Sequence, residues 1–68
     1  MTPREKEVLA LFAQGYTMQA IADKLGIAYK TVSSHLARIK KKTGVHKATL
    51  LVHYALEEGI IEVLERSR

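Results

Sequence analysis

Residues 21–45 read IADKLGIAYKTVSSHLARIKKKTGV, and the spacing inside this stretch decides the fold. Ile21 and Leu25 recur at helical spacing, with Met18 and Ala22 beside them, up to Gly26, where a left-handed backbone is wanted. Gly26, Ile27 and Ala28 make a tight connection, with Tyr29 at its far boundary, and a longer helical pattern then runs over residues 29–43. A glycine turn between a short helix and a longer one is the helix-turn-helix arrangement. Where the helices cross, a small residue is needed four positions before the glycine and a branched apolar one six positions after it. Ala22 and Val32 stand there. Along the longer helix Val32, Leu36, Ile39 and Thr43 fall on one side, while Lys30, Ser33, Ser34, Ala37, Arg38 and Lys41 fall on the other. One face is a narrow apolar seam; the other is small and basic.

Outward from this pair the chain stays helical. Thr2 is an N-cap, Pro3 is preset for the first helical position, and Glu5 completes a T-x-x-E capping box. Val8, Leu9, Leu11 and Phe12 supply that helix's buried face, and Gly15 ends it. Thr17 is the N-cap of the short helix. Gly44 ends the long one, and a fourth helix leads to Gly59, with Ile60 and Ile61 folding back on the core. In that fourth helix Ala48, Leu51, Val52 and Ala55 form a core stripe. The expectation is an all-α, compact four-helix domain over residues 1–61, with helices at about 3–14, 18–25, 29–43 and 47–58 and a tail at 62–68 that frays or extends as helix.

Charge narrows the function. Residues 24–47 hold Lys24, Lys30, Arg38, Lys40, Lys41, Lys42 and Lys47 and no acid, within a chain of net charge +4. The first 23 residues set Arg4 and Lys6 against Glu5, Glu7 and Asp23, and residues 48–68 set Arg66 and Arg68 against Glu57, Glu58, Glu62 and Glu65. A basic stripe concentrated in the middle third is the footprint of a polyanion binder. A merely solvated face mixes signs. With 68 residues there is one small domain, and its apolar content of 47% suits a single core. No cysteine is present, which fits a reducing interior, and no apolar run approaches the roughly 20 residues of a membrane span. Thr2-Pro3-Arg4-Glu5 follows Met1 directly and does not read as a signal peptide. A cytoplasmic, nucleoid-associated protein is expected. Catalysis finds no glycine-rich phosphate loop, metal-ligand spacing or nucleophile with a base in reach, so no enzyme, metal or cofactor is expected.

A major groove about 12 Å wide admits one α-helix, while the preceding helix crosses the backbone. The first amides of both helices are unpaired donors suited to phosphate, and Thr17, Gln19, Lys30 and Thr31 sit at those ends. Small Ser33, Ser34 and Ala37 let the long helix lie close to base edges, where Ala37 meets a thymine methyl and the serines hydrogen-bond. Such residues specify weakly, so Lys30, Arg38 and Lys41 carry much of the grip on bases and phosphates. Lys42 points with His35, and Lys40 lies nearer the apolar seam.

These residues resemble the LuxR-type (NarL/FixJ-type) DNA-binding domain of bacterial transcription regulators, which include response regulators. Thr2, Arg4, Glu5, Glu7, Val8 and Leu9 match, as do Gly15, Ile21, Ala22 and Leu25, and later Tyr54-Ala55 and Gly59-Ile60. The specific part is the run T-V-x-x-H-x-x-x-I-x-x-K-x-G-V from Thr31 to Val45. The resemblance implies a third helix in the major groove, with Ser33, Ser34 and Ala37 at the base-contacting positions and Thr31, His35 and Lys42 near phosphates. It also implies dimer contacts through the fourth helix. The sequence departs from the family pattern at Ala28, often a serine N-cap, at Ser33, often lysine or arginine, and at Leu50, usually polar.

The site thus reads as Lys30, Ser33, Ser34 and Ala37 on bases, and Thr17, Gln19, Thr31, His35, Arg38, Lys41 and Lys42 on phosphates. His35 reads as a packed or phosphate-facing residue, without an acid or cysteine at ligand spacing. On the fourth helix Leu50 and Tyr54 form a second apolar stripe, roughly opposite the core one, with His53 and Glu57 nearby. A helix apolar on two sides at the edge of a small domain points to a homodimer. The expected partners are double-stranded DNA, a second copy, and an upstream receiver or ligand-binding domain in a longer chain. A sigma-factor-like promoter-contacting helix-turn-helix leaves the Gly44-Val45 junction and the two-sided fourth helix unexplained. A basic protein-interaction module would not distinguish DNA sequences.

Overall fold

A computed structural model describes residues 1–61. The four helices are α1 (Pro3–Ala13), α2 (Met18–Leu25), α3 (Tyr29–Thr43) and α4 (Ala48–Glu57), with no strand among the described residues. The tail expected at 62–68 lies outside the described residues. None of the described helices is long and apolar enough to cross a membrane.

The helix starts follow from their capping chemistry. Thr2 Oγ1 accepts from the Glu5 amide at 3.1 Å while the Glu5 carboxylate accepts from the Thr2 amide at 3.1 Å, so the capping box is complete. Thr17 Oγ1 accepts from the Ala20 amide at 3.1 Å. Ala28 and Lys47, ahead of α3 and α4, hold extended backbones but contribute no side-chain cap. Two helices are shorter than their sequence patterns suggest. Gln14 is the C-cap of α1, while Lys47 and Glu58 flank α4 as its caps. A capping residue belongs to the pattern of its helix without sharing its full hydrogen bonding.

Gly26 makes the turn between α2 and α3. Its φ of 68° is left-handed, and the Ile27 amide reaches back to the Ala22 carbonyl at 3.0 Å, which satisfies an orphaned helix-end acceptor. A similar return after α4, with the Ile60 amide on the Ala55 carbonyl at 2.9 Å, turns the chain back so that Ile60 and Ile61 pack on the core.

The core consists of Val8 and Leu9 from α1, Ile21 and Ala22 from α2, Val32, Leu36 and Ile39 from α3, and Leu51 and Ala55 from α4. The seam expected on α3 is thus the buried one, and Ala22 and Val32 are both at the crossing of α2 and α3 with almost no exposure. All three other helices pack on α1, α2 and α3 also pack on each other, and α4 brings its backbone close to α1 alone. Leu11, Phe12 and Leu25 are half-buried around this centre.

The fourth helix departs from expectation. Its fully buried residues are Leu51 and Ala55; Val52 is half-buried and Ala48 is exposed. Tyr54, placed by its pattern on the far stripe, is half-buried and packs against the core. With α1 as its one helical neighbour, α4 needs only a narrow contact line, and the Tyr54 ring is long enough to reach the core from its flank. Leu50 remains half exposed, at 50%.

Candidate nucleic-acid interface

The outward face of α3 is assembled by the packing of its inward one. With Val32, Leu36 and Ile39 held in the core, Lys30, Thr31, Ser33, Ser34, Ala37, Arg38 and Lys41 are all exposed, and His35 is half-buried at the margin. Lys40, set aside on its position near the seam, is half-buried. The first turn of α3 carries no acid, and the last turn holds Lys40, Lys41 and Lys42. Those three cations also complement the negative end of the helix dipole, so part of their role is to stabilise α3 itself.

At the start of α2, Thr17 and Gln19 are exposed. The Thr17 hydroxyl oxygen accepts from the Ala20 amide, which leaves its O–H donor uncommitted by that bond. Gln19 Nε2 donates to Asp23 Oδ1 at 3.0 Å, an exposed contact that a stronger acceptor can displace. Tyr29, regarded only as a boundary residue, is 51% exposed, and its hydroxyl donates to Met18 Sδ at 3.7 Å. That contact ties the first residue of α3 to the first residue of α2.

A buried acid stands behind the basic face. Glu5 of α1 is 2% exposed. Its Oε1 accepts from Lys42 Nζ at 2.8 Å, and its Oε2 accepts from Arg38 Nε at 3.3 Å. The Lys42 and Thr2 hydrogen bonds hold the Glu5 carboxyl down at about 2, against an ordinary value near 4.5, so it is a carboxylate at any neutral pH. Arg38 continues the chain of contacts, with Nη2 3.2 Å from His35 Nδ1. A guanidinium can only donate, so in this contact His35 Nδ1 is the accepting atom. The sequence pattern gives Glu5 a capping role and places Arg38 and Lys42 on phosphates, without joining the three. Sequence shows only that Arg38 and Lys42 are one turn apart on one helix; their shared partner comes from the packing of α1 on α3.

Elsewhere, a shallow groove of about 270 Å³ between α1 and α2 is lined by Glu7, Ala10, Leu11, Lys24 and Leu25. It shares no residue with the α3 face. Among the described residues no three His, Asp or Glu side chains come together in a way that could hold a metal ion.

Comparison with known proteins assigns the chain to a family. Residues 1–55 match the family described as bacterial regulatory proteins, luxR family. The chain belongs to the luxR family. The match covers α1, α2, α3 and most of α4, and the family works by binding DNA rather than by catalysis. The chain is 39% identical over 61 residues to the transcriptional regulatory protein MctR of Rhizobium johnstonii, covering 90% of this chain and 28% of the relative. It is 40% identical over 62 residues to the oxygen regulatory protein NreC of Staphylococcus aureus, covering 91% of this chain and 29% of the relative. The chain spans less than a third of the length of these relatives.

Proposed function

We propose that this luxR-family domain binds double-stranded DNA sequence-specifically, with α3 in the major groove and α2 across the backbone. The observation that carries the reading is the outward face of α3: small side chains flanked by cations, with no acid, set on a short α2 by the Gly26 turn. Lys30, Ser33, Ser34 and Ala37 face base edges. Thr17, Gln19, Thr31, His35 and Lys41 meet phosphates, joined by Arg38 and Lys42 through the donors that Glu5 leaves free. Two copies occupy adjacent half-sites about one helical turn apart, joined through Leu50, His53, Tyr54 and Glu57 of α4. In a longer chain an upstream receiver or ligand-binding domain controls access to DNA, and the protein acts at the nucleoid in the cytoplasm.

The test compares duplexes of different sequence over a series of salt concentrations. Lys41→Ala weakens binding to all sequences alike and reduces the dependence of log K on log salt by about one. Ser34→Ala changes affinity by different factors for different sequences. Binding that ignores sequence at equal ionic strength would instead mark a basic module for an acidic partner, and contradict the proposal.

A further inference from the structure

Glu5 is the one buried charged side chain among the described residues, and what it holds lies at the surface. Its partners Arg38 and Lys42 keep 54% and 45% of their side chains exposed. Glu5 takes one of the five N–H donors of the Arg38 guanidinium and one of the three on the Lys42 ammonium, and His35 takes one more from Arg38. The remaining donors are open to an anion in solvent. Both cations stem from α3, one turn apart, on the edge of the face just described.

We infer that Glu5 is a positioning and selectivity residue for DNA binding, holding Arg38 and Lys42 in place at the edge of the α3 face and cancelling one of their two charges. The inference rests on the reading of α3 as the DNA-binding helix. Sequence-independent affinity comes from cations that neutralise phosphates wherever they meet them, and long untethered side chains do this on any duplex. A tethered pair offers its free donors in one geometry. It has little ordering entropy left to lose at a matching site and gains little at a mismatched one. Glu5 acts through the two bases and touches no DNA, since its carboxylate is enclosed. Its carboxyl stays ionised far below neutral pH, so the cancellation is permanent and not a pH switch.

Glu5→Gln tests this, because it removes the charge while keeping the shape and an oxygen for the Thr2 amide, and glutamine serves this capping position. The full chain, well below its melting temperature, is titrated by fluorescence anisotropy with two duplexes. One carries the site recovered by selection from a random pool; the other is random and of equal length. Expected for Glu5→Gln is several-fold tighter binding to the random duplex, a salt dependence steeper by about one, and a smaller ratio between the two affinities. The double variant Glu5→Gln/Lys42→Gln removes one acid and one base, and its salt dependence returns to that of the parent while the ratio stays reduced. A lower melting temperature with salt dependence and ratio unchanged would make the cluster a structural tie only and overturn the inference. Equal weakening on both duplexes, or a steeper salt dependence at an unchanged ratio, overturns the selectivity role. Failure of the parent chain to bind either duplex overturns the DNA reading, and this inference with it.

Discussion

Ala28→Ser stabilises this domain, and the size of the gain can be worked from the other two capped helices. The backbone at Ala28 has φ −73° and ψ 150°, against −72° and 158° at Thr2 and −71° and 163° at Thr17. At both threonines this conformation sets Oγ1 3.1 Å from the amide three residues on. A serine at position 28 therefore presents its hydroxyl oxygen to the Thr31 amide with no backbone adjustment. That amide now closes a short turn onto the Ala28 carbonyl at 3.0 Å, and Ala28 is exposed, so a serine meets no steric obstacle there. An N-cap gained in place of alanine contributes about 1 kcal/mol, within a range of roughly 0.5–2. In a domain of this size about 1 kcal/mol raises the melting temperature by roughly 4–8 °C. Thermal unfolding followed by circular dichroism reads it, with Thr17→Ala as the converse control, expected to lose a similar amount. A melting temperature unmoved by Ala28→Ser while Thr17→Ala lowers it would refute the reasoning, by showing that α3 is limited by something other than its first turn.

Three further outcomes follow from the same structure. Gly26→Ala costs about 1–2 kcal/mol, because φ of 68° penalises a side chain even though an added Cβ meets nothing within 4 Å; Gly26→Asn costs less, and equal losses for the two in a denaturant titration would contradict a purely conformational cause. Because the Glu5 carboxyl is held at about 2 in the folded chain, its contribution to stability is complete above about 4.5 and is lost as pH falls toward 2; acid titration of Glu5→Gln shows a shallower loss over that window, and identical acid profiles would argue against the ion-pair cluster. Leu50→Glu leaves the melting temperature nearly unchanged, since Leu50 is half exposed, but abolishes cooperative binding to a probe with two half-sites; unaltered cooperativity would remove α4 from the dimer proposal.

Local chemistry made most of the fold legible. The Thr2–Glu5 capping box, the Thr17 cap, the Gly26 turn and the Val32, Leu36 and Ile39 seam each depend on residues within a turn or two of one another, and each stands where the pattern put it. What escaped depends on how helices meet. Glu5 lies 33 residues from Arg38 and 37 from Lys42, and only the packing of α1 on α3 brings them together. A capping glutamate whose local role was already complete gave no reason to look for a second one. The partial burial of Tyr54 escaped for a similar reason, since a helical wheel for α4 does not show that α1 is its single helical neighbour. On α3, the exposed positions were readable because Val32, Leu36 and Ile39 opposite them are apolar and buried.

The most direct test of the central claim, that α3 is the surface this domain presents to DNA, is a titration of the isotopically labelled chain with a short duplex, read as amide shifts in nuclear magnetic resonance. The account predicts the largest shifts at Lys30, Thr31, Ser33, Ser34, Ala37 and Lys41, with a second group at Thr17 and Gln19. Shifts confined to the outer faces of α1 and α4, with those α3 amides unmoved, would contradict it.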